Sequence, residues 1–298
     1  MNESVHINYL TSNEQDKLWG LTVRTAGYQK IPPRTDYPPR NHPQEYLFST
    51  QKGRTLDEYV LLYITNGKGR FSSSTQKDIE IKSGNMILLF PGEWHTYQPD
   101  ISMGWDEYWI GFRGTQIDSL VLHAFFSREN EIFDIGPREE IVQLYKSAIH
   151  AASKEKPGFQ QLLSGIVSHL LGIIYSVDKD STFNELKSIR QIEQAKIIIR
   201  ENFHTGIKPE HIAGETGMSY SWFRRLFKQY TGLSPYRYIQ ELRIQKSKEL
   251  LGNTTLTCQE IAYQVGYDNS NQFGIVFKKC TGLSPTAYRY FSEKGNPT

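Results

Sequence analysis

The sequence predicts an α+β protein of two domains: an amino-terminal antiparallel β-barrel or jelly roll and an all-α carboxyl-terminal domain. Short apolar strands separated by Gly and Pro turns occupy residues 58–112, and a helical pattern occurs twice after residue 212. A chain of 298 residues is long enough for two separate cores. The predicted divisions are as follows: the barrel with its arm at 1–114, a helical segment of the same domain at 115–176, a linker at 177–187, and the helical domain at 188–298.

The amino-terminal region ends in a proline-rich stretch. Residues 31–43 hold five prolines, which fix φ and lack an amide donor, so an extended arm is expected. It is either a surface loop or a mobile arm that closes over a ligand. The first 20 residues contain no apolar segment of the signal-peptide type, and no run reaches 18 apolar residues. We therefore expect a cytoplasmic protein with no membrane span.

Strand patterns follow the arm. The apolar run 59–65 precedes residues 66–69, Asn-Gly-Lys-Gly, whose composition predicts a hairpin turn. Residues 78–84 alternate apolar and polar positions, 85–97 form an apolar strand that enters a Pro-Gly turn, and 105–114 form an aromatic strand. Such short strands favour an antiparallel barrel.

The segment from Gly84 to His95 resembles the second half-motif of cupin barrels. Metal-binding cupins take two histidines and a glutamate from an earlier strand, but no histidine lies between Gln51 and Trp94. A lone imidazole cannot hold a catalytic metal. We expect no metal, no cofactor and no catalytic residue, and interpret His95 as a pocket-lining or hydrogen-bonded structural residue. The alternative is a cupin-fold enzyme or small-molecule-binding protein with a helical interaction tail.

The barrel strands carry polar and aromatic side chains that are candidates for a small-molecule pocket. They are Arg54, His95, Tyr97, Glu107 and Trp109. A guanidinium and a phenol can hydrogen-bond sugar hydroxyls, and an indole can cover an apolar ring face. The competing interpretation is that Tyr97 and Trp109 are ordinary core aromatics.

Three helices are predicted after the barrel, at 115–126, 137–156 and 159–177. The third carries an apolar stripe with heptad spacing: Leu163, Ile166, Leu170, Ile173 and Val177. Such a stripe either pairs two subunits or packs on the barrel of its own chain.

The carboxyl-terminal region contains a duplicated unit. TGLSP occurs at 231–235 and again at 281–285, and each copy follows a helix, a turn with Gly217 or Gly266, and a second helix. Ser234 is predicted to cap a long helix that joins the two units. Thr257 and Glu260 form a predicted capping box, and Cys280 falls on a predicted apolar stripe.

The outward face of the second helix in each unit is polar. The candidate DNA-contacting residues are Tyr220, Ser221, Arg224, Arg225 and Lys228 in the first unit and Ser270, Asn271, Ile275 and Lys278 in the second. Such helices enter the major groove in helix-turn-helix proteins. The alternative is a helical bundle with a solvated basic face. Arginine pairs bidentately with guanine or phosphate, Asn271 is a candidate adenine reader, and Ile275 could contact a thymine methyl.

Charge is divided unevenly along the chain. From residue 186 onward there are 16 Lys and Arg against 9 Asp and Glu, whereas residues 1–185 hold 18 and 23. A basic carboxyl-terminal part on an acidic amino-terminal part is expected when only one domain meets phosphates. Cys258 and Cys280 show no metal or disulfide spacing.

The duplicated unit, its paired TGLSP signatures and its carboxyl-terminal position resemble the AraC-type transcription regulators, most strongly over 190–291. This resemblance implies a cupin-like sensing barrel with a ligand-responsive arm, a helix that makes a homodimer, operator DNA as partner, and RNA polymerase as a further candidate. Arg54, Tyr97 and Trp109 match sugar-binding positions of arabinose-responsive members, which implies a monosaccharide effector. Glu107 stands where those members have histidine, and Ile275 departs from the polar or basic residue common at its position.

Overall fold

The structure, a computed structural model, describes residues 5–38, 49–181 and 186–294. The chain divides into two compact units, with the boundary between residues 182 and 183. The first unit is sheet-rich and the second is helical, which confirms the predicted fold class. Residues 39–43 of the predicted arm lie outside the described residues.

The first unit contains nine strands and four helices within the described residues. They are β1 (Val5–Tyr9), α1 (Glu14–Leu18), β2 (Thr22–Ile31), β3 (Arg54–Thr55), β4 (Tyr59–Ser73), β5 (Ile79–Lys82), β6 (Asn85–Leu89), β7 (Trp94–Pro99), β8 (Trp105–Arg113), α2 (Thr115–Leu122), β9 (Ile132–Asp134), α3 (Glu139–Lys154) and α4 (Phe159–Ser181). The sequence pattern predicted none of β1, α1, β2, β3 and β9.

The strands form two antiparallel groups that share β4. The order β1-β2-β8-β4-β6-β9 makes one group, whereas β5 and β7 pair with the second half of β4, and β3 pairs with β7. The first half of β4 thus lies between β6 and β8, and its second half lies between β5 and β7. One long strand therefore passes from one sheet to the other.

The predicted hairpin at 66–69 is wrong, because these residues continue β4. Gly67 has a φ of +80°, and the register against β8 shifts between Ile64 and Asn66. A Cβ on Gly67 would lie 2.1 Å from the carbonyl oxygen of Gly104. The glycines therefore serve a bulge and a close backbone approach, not a chain reversal.

Both faces of the central sheet are buried. Side chains on one face, including Val60 and Leu62, make a core between the sheets. Side chains on the other, including Leu61 and Tyr63, pack beneath the helices with residues of α3 and α4. This two-sided burial explains why β4 begins as a continuous apolar run without alternation.

The heptad stripe of α4 belongs largely to that second core. Leu163 and Leu170 are 0% exposed, Ile166 is buried, and Ile173 and Val177 pack partly against the same cluster. The prediction that this stripe is a dimer seam is wrong, because the stripe covers the sheet of its own chain. By length and composition Phe159–Lys179 is apolar enough to cross a membrane, contrary to the sequence expectation, and its buried face accounts for that composition.

The predicted linker at 177–187 is also corrected. Residues 177–181 continue α4, and residues 186 and 187 begin the next helix. Asp178 accepts a hydrogen bond from Asn130, and the Lys179 ammonium lies 5.1 Å from the ring centre of Tyr175. Asp178 and Lys179 therefore lie on the outer side of a helix that continues. Residues 182–185 lie outside the described residues.

The second unit contains seven helices within the described residues. They are α5 (Leu186–Asn202), α6 (Pro209–Glu215), α7 (Tyr220–Thr231), α8 (Pro235–Asn253), α9 (Cys258–Gln264), α10 (Ser270–Thr281) and α11 (Pro285–Lys294). The predicted turns and caps are confirmed. Gly217 and Gly266 have positive φ, the Ser234 side chain accepts from the Arg237 amide, and Thr257 forms a capping box with Glu260.

The helix α8 contributes to two separate cores. Ile239, near its start, packs with α5, α6 and α7, whereas Ile244, Leu250 and Leu251 pack with α9 and α10. Each helix pair therefore has its own core, and α8 joins the two. Cys280 is exposed, so the prediction that it is a core residue is wrong. Its stripe is already completed by Phe273 and Phe277, which are fully buried.

Candidate functional site

A pocket opens between the two strand groups of the first unit. It is lined by Tyr9, Thr25, Tyr37, Pro38, Arg54, Leu56, Glu58, Val60, Leu62, Tyr97, Glu107 and Trp109. Four of the five predicted ligand-binding residues are among them. The fifth, His95, lies beside the pocket and contacts it through Arg54.

The Arg54 side chain organises one wall. Its Nη2 donates to the hydroxyl of Tyr97 at 2.6 Å, and its guanidinium lies 5.5 Å from the centre of the same ring. Arg54 and His95 are paired in register across β3 and β7. The two short strands therefore hold a cation at the pocket edge.

His95 supports this arrangement as a neutral base. Arg54 Nε donates to His95 Nε2 at 3.4 Å, which leaves the proton on Nδ1, next to the Glu93 carbonyl at 3.2 Å. Burial, together with the charge of Arg54, lowers the pKa of His95 to about 4. These contacts are those of a hydrogen-bonded structural residue, which is one of the two roles expected for His95. Among the described residues there is no group of three His, Cys, Asp or Glu side chains fit for a metal.

Trp109 forms the middle of the sheet-side wall. It pairs in register with Gly27 of β2 and with Leu62 of β4. A Cβ on Gly27 would lie 2.2 Å from Trp109 Cζ2, so the indole lies directly over the bare backbone of β2. Any larger residue at position 27 would displace this platform.

Glu107 lies on the same strand face, two residues before Trp109. It is 4% exposed, and burial raises the pKa of its carboxyl to about 8. The Tyr37 hydroxyl lies 3.3 Å from both Glu107 oxygens, and the Tyr37 ring lies edge-on to Trp105 at 5.9 Å. Tyr37, from the proline-rich stretch, therefore fills part of the pocket.

Sequence reasoning missed Tyr37, Glu58 and Thr25 as lining residues. Thr25 lies on β2, whose alternation is interrupted by a register shift between Val23 and Thr25. Glu58 shares the inward face with Val60 and Leu62. The sequence did contain a signal for Glu58, since it alternates in phase with the inward-facing apolar residues Val60 and Leu62.

In the second unit, the predicted outward face of α7 is exposed as expected. Tyr220, Ser221, Arg224, Arg225 and Lys228 are all solvent-accessible, while Phe223, Leu226 and Phe227 are buried on the opposite side. The Arg225 guanidinium lies 4.5 Å from the centre of the Trp222 ring. Sequence analysis missed Trp222, which restricts the direction in which Arg225 extends.

The corresponding face of α10 is exposed and less basic. Asn271, Ile275 and Lys278 are exposed and Ser270 is half-buried, with Ile275 at 71%. Asn269 caps the helix by accepting from the amides of Asn271 and Gln272. The predicted face therefore exists, with one apolar side chain at its centre.

Comparison with protein families covers most of the chain. Residues 28–181 match the AraC-like ligand binding domain, and residues 212–290 match a helix-turn-helix domain. The chain belongs to the AraC-type family of ligand-responsive transcription regulators. The pocket lies within the first match, and the exposed faces of α7 and α10 lie within the second.

Relatives of similar length are operon regulators, not enzymes. The raffinose operon transcriptional regulatory protein RafR of Pediococcus pentosaceus is 28% identical over 246 residues, covering 80% of this chain and 88% of that protein. The Msm operon regulatory protein of Streptococcus mutans is 26% identical over 239 residues, covering 78% and 84%. The solved C-terminal domain of AraT from Geobacillus stearothermophilus is 31% identical, covering 36% of this chain and 88% of that chain, with a TM-score of 0.34.

Proposed function

We propose that this AraC-type regulator is cytoplasmic and senses a neutral sugar in the pocket of its first unit. It binds operator DNA through two helix-turn-helix motifs, both of which lie in its second unit. The observation that carries the sensing proposal is the convergence of Arg54, Tyr97, Glu107 and Trp109 on one pocket. Relatives named for raffinose and lactose operons support a sugar as the effector.

The chemistry of the pocket favours hydroxyl groups. Arg54 supplies donors, Tyr97 and the carboxyl of Glu107 both donate and accept, and the Trp109 indole offers a flat apolar surface. A sugar presents the matching combination of hydroxyls around an apolar ring face. Aromatic and polar walls of this kind are common in small-molecule sites.

DNA binding is assigned to the exposed faces of α7 and α10. Arg224 and Arg225 are proposed to contact guanine or phosphate, and Asn271 is proposed to contact adenine. The helix α8 connects the two helix-turn-helix motifs of the second unit and is about 28 Å long at 1.5 Å per residue. One turn of B-DNA is about 34 Å, so a connector of this size suits reading helices in successive major grooves.

A homodimer and a contact with RNA polymerase complete the proposal. The buried stripe of α4 is occupied by its own sheet, so a dimer contact on α4 uses its outward side, where Leu162 is 58% exposed. RNA polymerase is a candidate partner because regulators of this family act at promoters.

Sugar sensing is tested on the full chain by thermal shift against a panel of neutral sugars, with and without a chelator. We expect one sugar class to raise the melting temperature equally in both conditions. Trp109→Ala should remove this shift, while Trp94→Ala, a half-exposed tryptophan outside the pocket lining, should keep it. A shift that disappears with the chelator, or one that survives Trp109→Ala, contradicts the proposal.

DNA binding is tested by selecting genomic fragments with the full chain and measuring affinity by fluorescence anisotropy. The affinity should fall steeply with salt, since phosphate contacts release counterions. Addition of the sugar found above should change the affinity or the preferred spacing of half-sites. Absence of any selected sequence would contradict the assignment of α7 and α10 as reading helices.

A further inference from the structure

Glu58 is a buried carboxyl group at the end of the pocket away from Tyr37. It directly precedes β4, and its side chain faces the pocket together with Val60 and Leu62. A Cβ on Gly111 would lie 2.3 Å from Thr25 Oγ1 and 2.7 Å from Glu58 Oε1. The carboxyl therefore lies over the bare backbone of Gly111, next to the threonine hydroxyl.

Two arginines near Glu58 form their direct ion pairs with a different carboxylate. Arg24 and Arg113 both form ion pairs with its neighbour Asp57, at 2.7 and 3.1 Å. Glu58 is 2% exposed, and its Oε2 has no hydrogen-bond partner among the described residues. Burial raises the pKa of the carboxyl to about 7. An unsatisfied buried carboxyl oxygen destabilises the fold, so Glu58 lowers the stability of the protein while the pocket is empty.

The position of Glu58 is complementary to that of Glu107. Residues 107, 109 and 111 point to the same face of β8, so one carboxyl lies on each side of the Trp109 indole. The Cα atoms of Glu107 and Gly111 are four residue steps apart along the strand, a distance of about 13 Å. A ligand that lies along Trp109 therefore meets one carboxyl at each end.

The surrounding charges restrict the ligand to a neutral molecule. Arg24, Arg54 and Arg113 all act on Glu58 electrostatically, which opposes a cationic ligand. Raised pKa values keep Glu107 largely and Glu58 partly in the neutral carboxyl form at pH 7, so neither carboxyl offers a cationic partner to an anionic ligand. Hydroxyl groups fit because they donate to a carboxylate without carrying charge.

We propose that Glu58 is a second effector-binding carboxyl, whose Oε2 accepts a hydrogen bond from a hydroxyl of a neutral polyhydroxy ligand at the end opposite Glu107. This inference rests on the proposed sugar-sensing function, and it assigns a specific anchor within that site. Among the described residues no group satisfies this oxygen, so a bound ligand hydroxyl would supply the missing hydrogen bond and Glu58 would favour binding at the expense of stability.

The test uses the full chain, the sugar identified by the thermal-shift panel, and the variant Glu58→Met, which keeps side-chain length but removes the acceptor. Without ligand, the Glu58→Met protein should melt at a higher temperature than unliganded wild type. Calorimetry should show that it binds the sugar about tenfold or more weakly than wild type does. Glu58→Gln, which keeps a neutral acceptor, should bind with intermediate affinity.

The matched control is Glu131→Met. Glu131 is equally buried at 2% exposure, but it accepts hydrogen bonds from Ser73 and Thr75 and lies outside the pocket lining. This variant should melt at a lower temperature and bind the sugar with wild-type affinity.

Three failures are distinguishable. If wild type binds a neutral sugar and both Glu58 variants bind it equally well, Glu58 is not an anchor, although the sensing function stands. If Glu58→Met lowers the melting temperature as Glu131→Met does, the carboxyl is structural and the proposal is wrong. If wild type itself binds no neutral sugar, the proposed function fails, and this inference fails with it.

Discussion

The hydroxyl of Tyr37 lies 3.3 Å from both carboxyl oxygens of Glu107. This contact joins the proline-rich stretch to the strand that carries Trp109. Because Glu107 is buried, the hydrogen bond satisfies a carboxyl group that has little access to water. The stretch is thus attached to the pocket by a polar contact as well as by the ring contacts of Tyr37 with Tyr97 and Trp105.

Tyr37→Phe should destabilise the unliganded sensing unit modestly. The ring contacts remain, but Glu107 loses a partner, which costs about 1 kcal/mol for a typical hydrogen bond and more if the carboxyl is charged. Urea denaturation of the full chain measures the change. Tyr175→Phe is the control, since its hydroxyl has no hydrogen bond within the described structure. An equal loss in both variants would show that the Tyr37 hydroxyl has no special role.

The stability of the unliganded protein should fall as pH rises above 6.5. Burial raises the pKa of Glu58 to about 7 and that of Glu107 to about 8, from an ordinary value of 4.5. Between about 4.5 and each raised pKa, the carboxyl is ionised in the unfolded chain but still protonated in the folded chain, so folding takes up protons. Each carboxyl then reduces stability by up to about 1.4 kcal/mol per pH unit until its folded pKa is passed.

This dependence is measured as the free energy of unfolding between pH 6.5 and 8.5. His95 opposes this fall only at the lower end of the range, because it is neutral in the folded chain and loses its proton near pH 6.5 in the unfolded one. Glu107→Gln should flatten the curve relative to wild type. A variant with the wild-type slope would mean that Glu107 ionises normally in the folded protein.

Arg224→Ala and Arg225→Ala should each weaken binding to a selected operator by roughly 1–3 kcal/mol if they contact bases. Loss of a phosphate contact would instead weaken binding to all DNA sequences alike and reduce by about one the slope of log affinity against log salt concentration.

Trp222→Leu should also weaken binding, because Arg225 loses the aromatic ring against which its guanidinium lies. Arg237→Ala, an exposed arginine on α8, controls for the loss of one positive charge. Equal effects at positions 224, 225 and 237 would contradict specific readout.

The second unit was the more predictable from sequence, because its signals are local. The apolar stripes of α7 and α10, the glycine turns and the Thr257–Glu260 capping box all act within a few residues. Cys280 was assigned wrongly because helical phase alone does not say how wide a buried stripe is. The two phenylalanines before it already fill the core.

The pocket was predicted only in part, because its residues come from strands far apart in the chain. Arg54, Tyr97, Glu107 and Trp109 were found from their chemistry and from a family resemblance. The phase of Glu58 with Val60 and Leu62 could have marked it as inward-facing. Its lack of a direct ionic partner could not be predicted, because it depends on tertiary ion pairs of Asp57 with Arg24 and Arg113. The hairpin at 66–69 was wrong because a tertiary approach between β4 and Gly104 overrode local turn composition.

An aspartate introduced on the buried side of α4 should unfold the sensing unit, whereas one introduced on the exposed side should leave it folded. Leu170 is 0% exposed beneath the helix, so Leu170→Asp places an unpaired carboxylate in the core and should cost more than about 4 kcal/mol, unfolding the sensing unit. Leu162 is 58% exposed, so Leu162→Asp should leave the fold intact and, if the outward side pairs two chains, shift sedimentation from dimer to monomer. Circular dichroism with analytical ultracentrifugation separates the two effects. A folded, dimeric Leu162→Asp protein would exclude this side of α4 as the dimer contact.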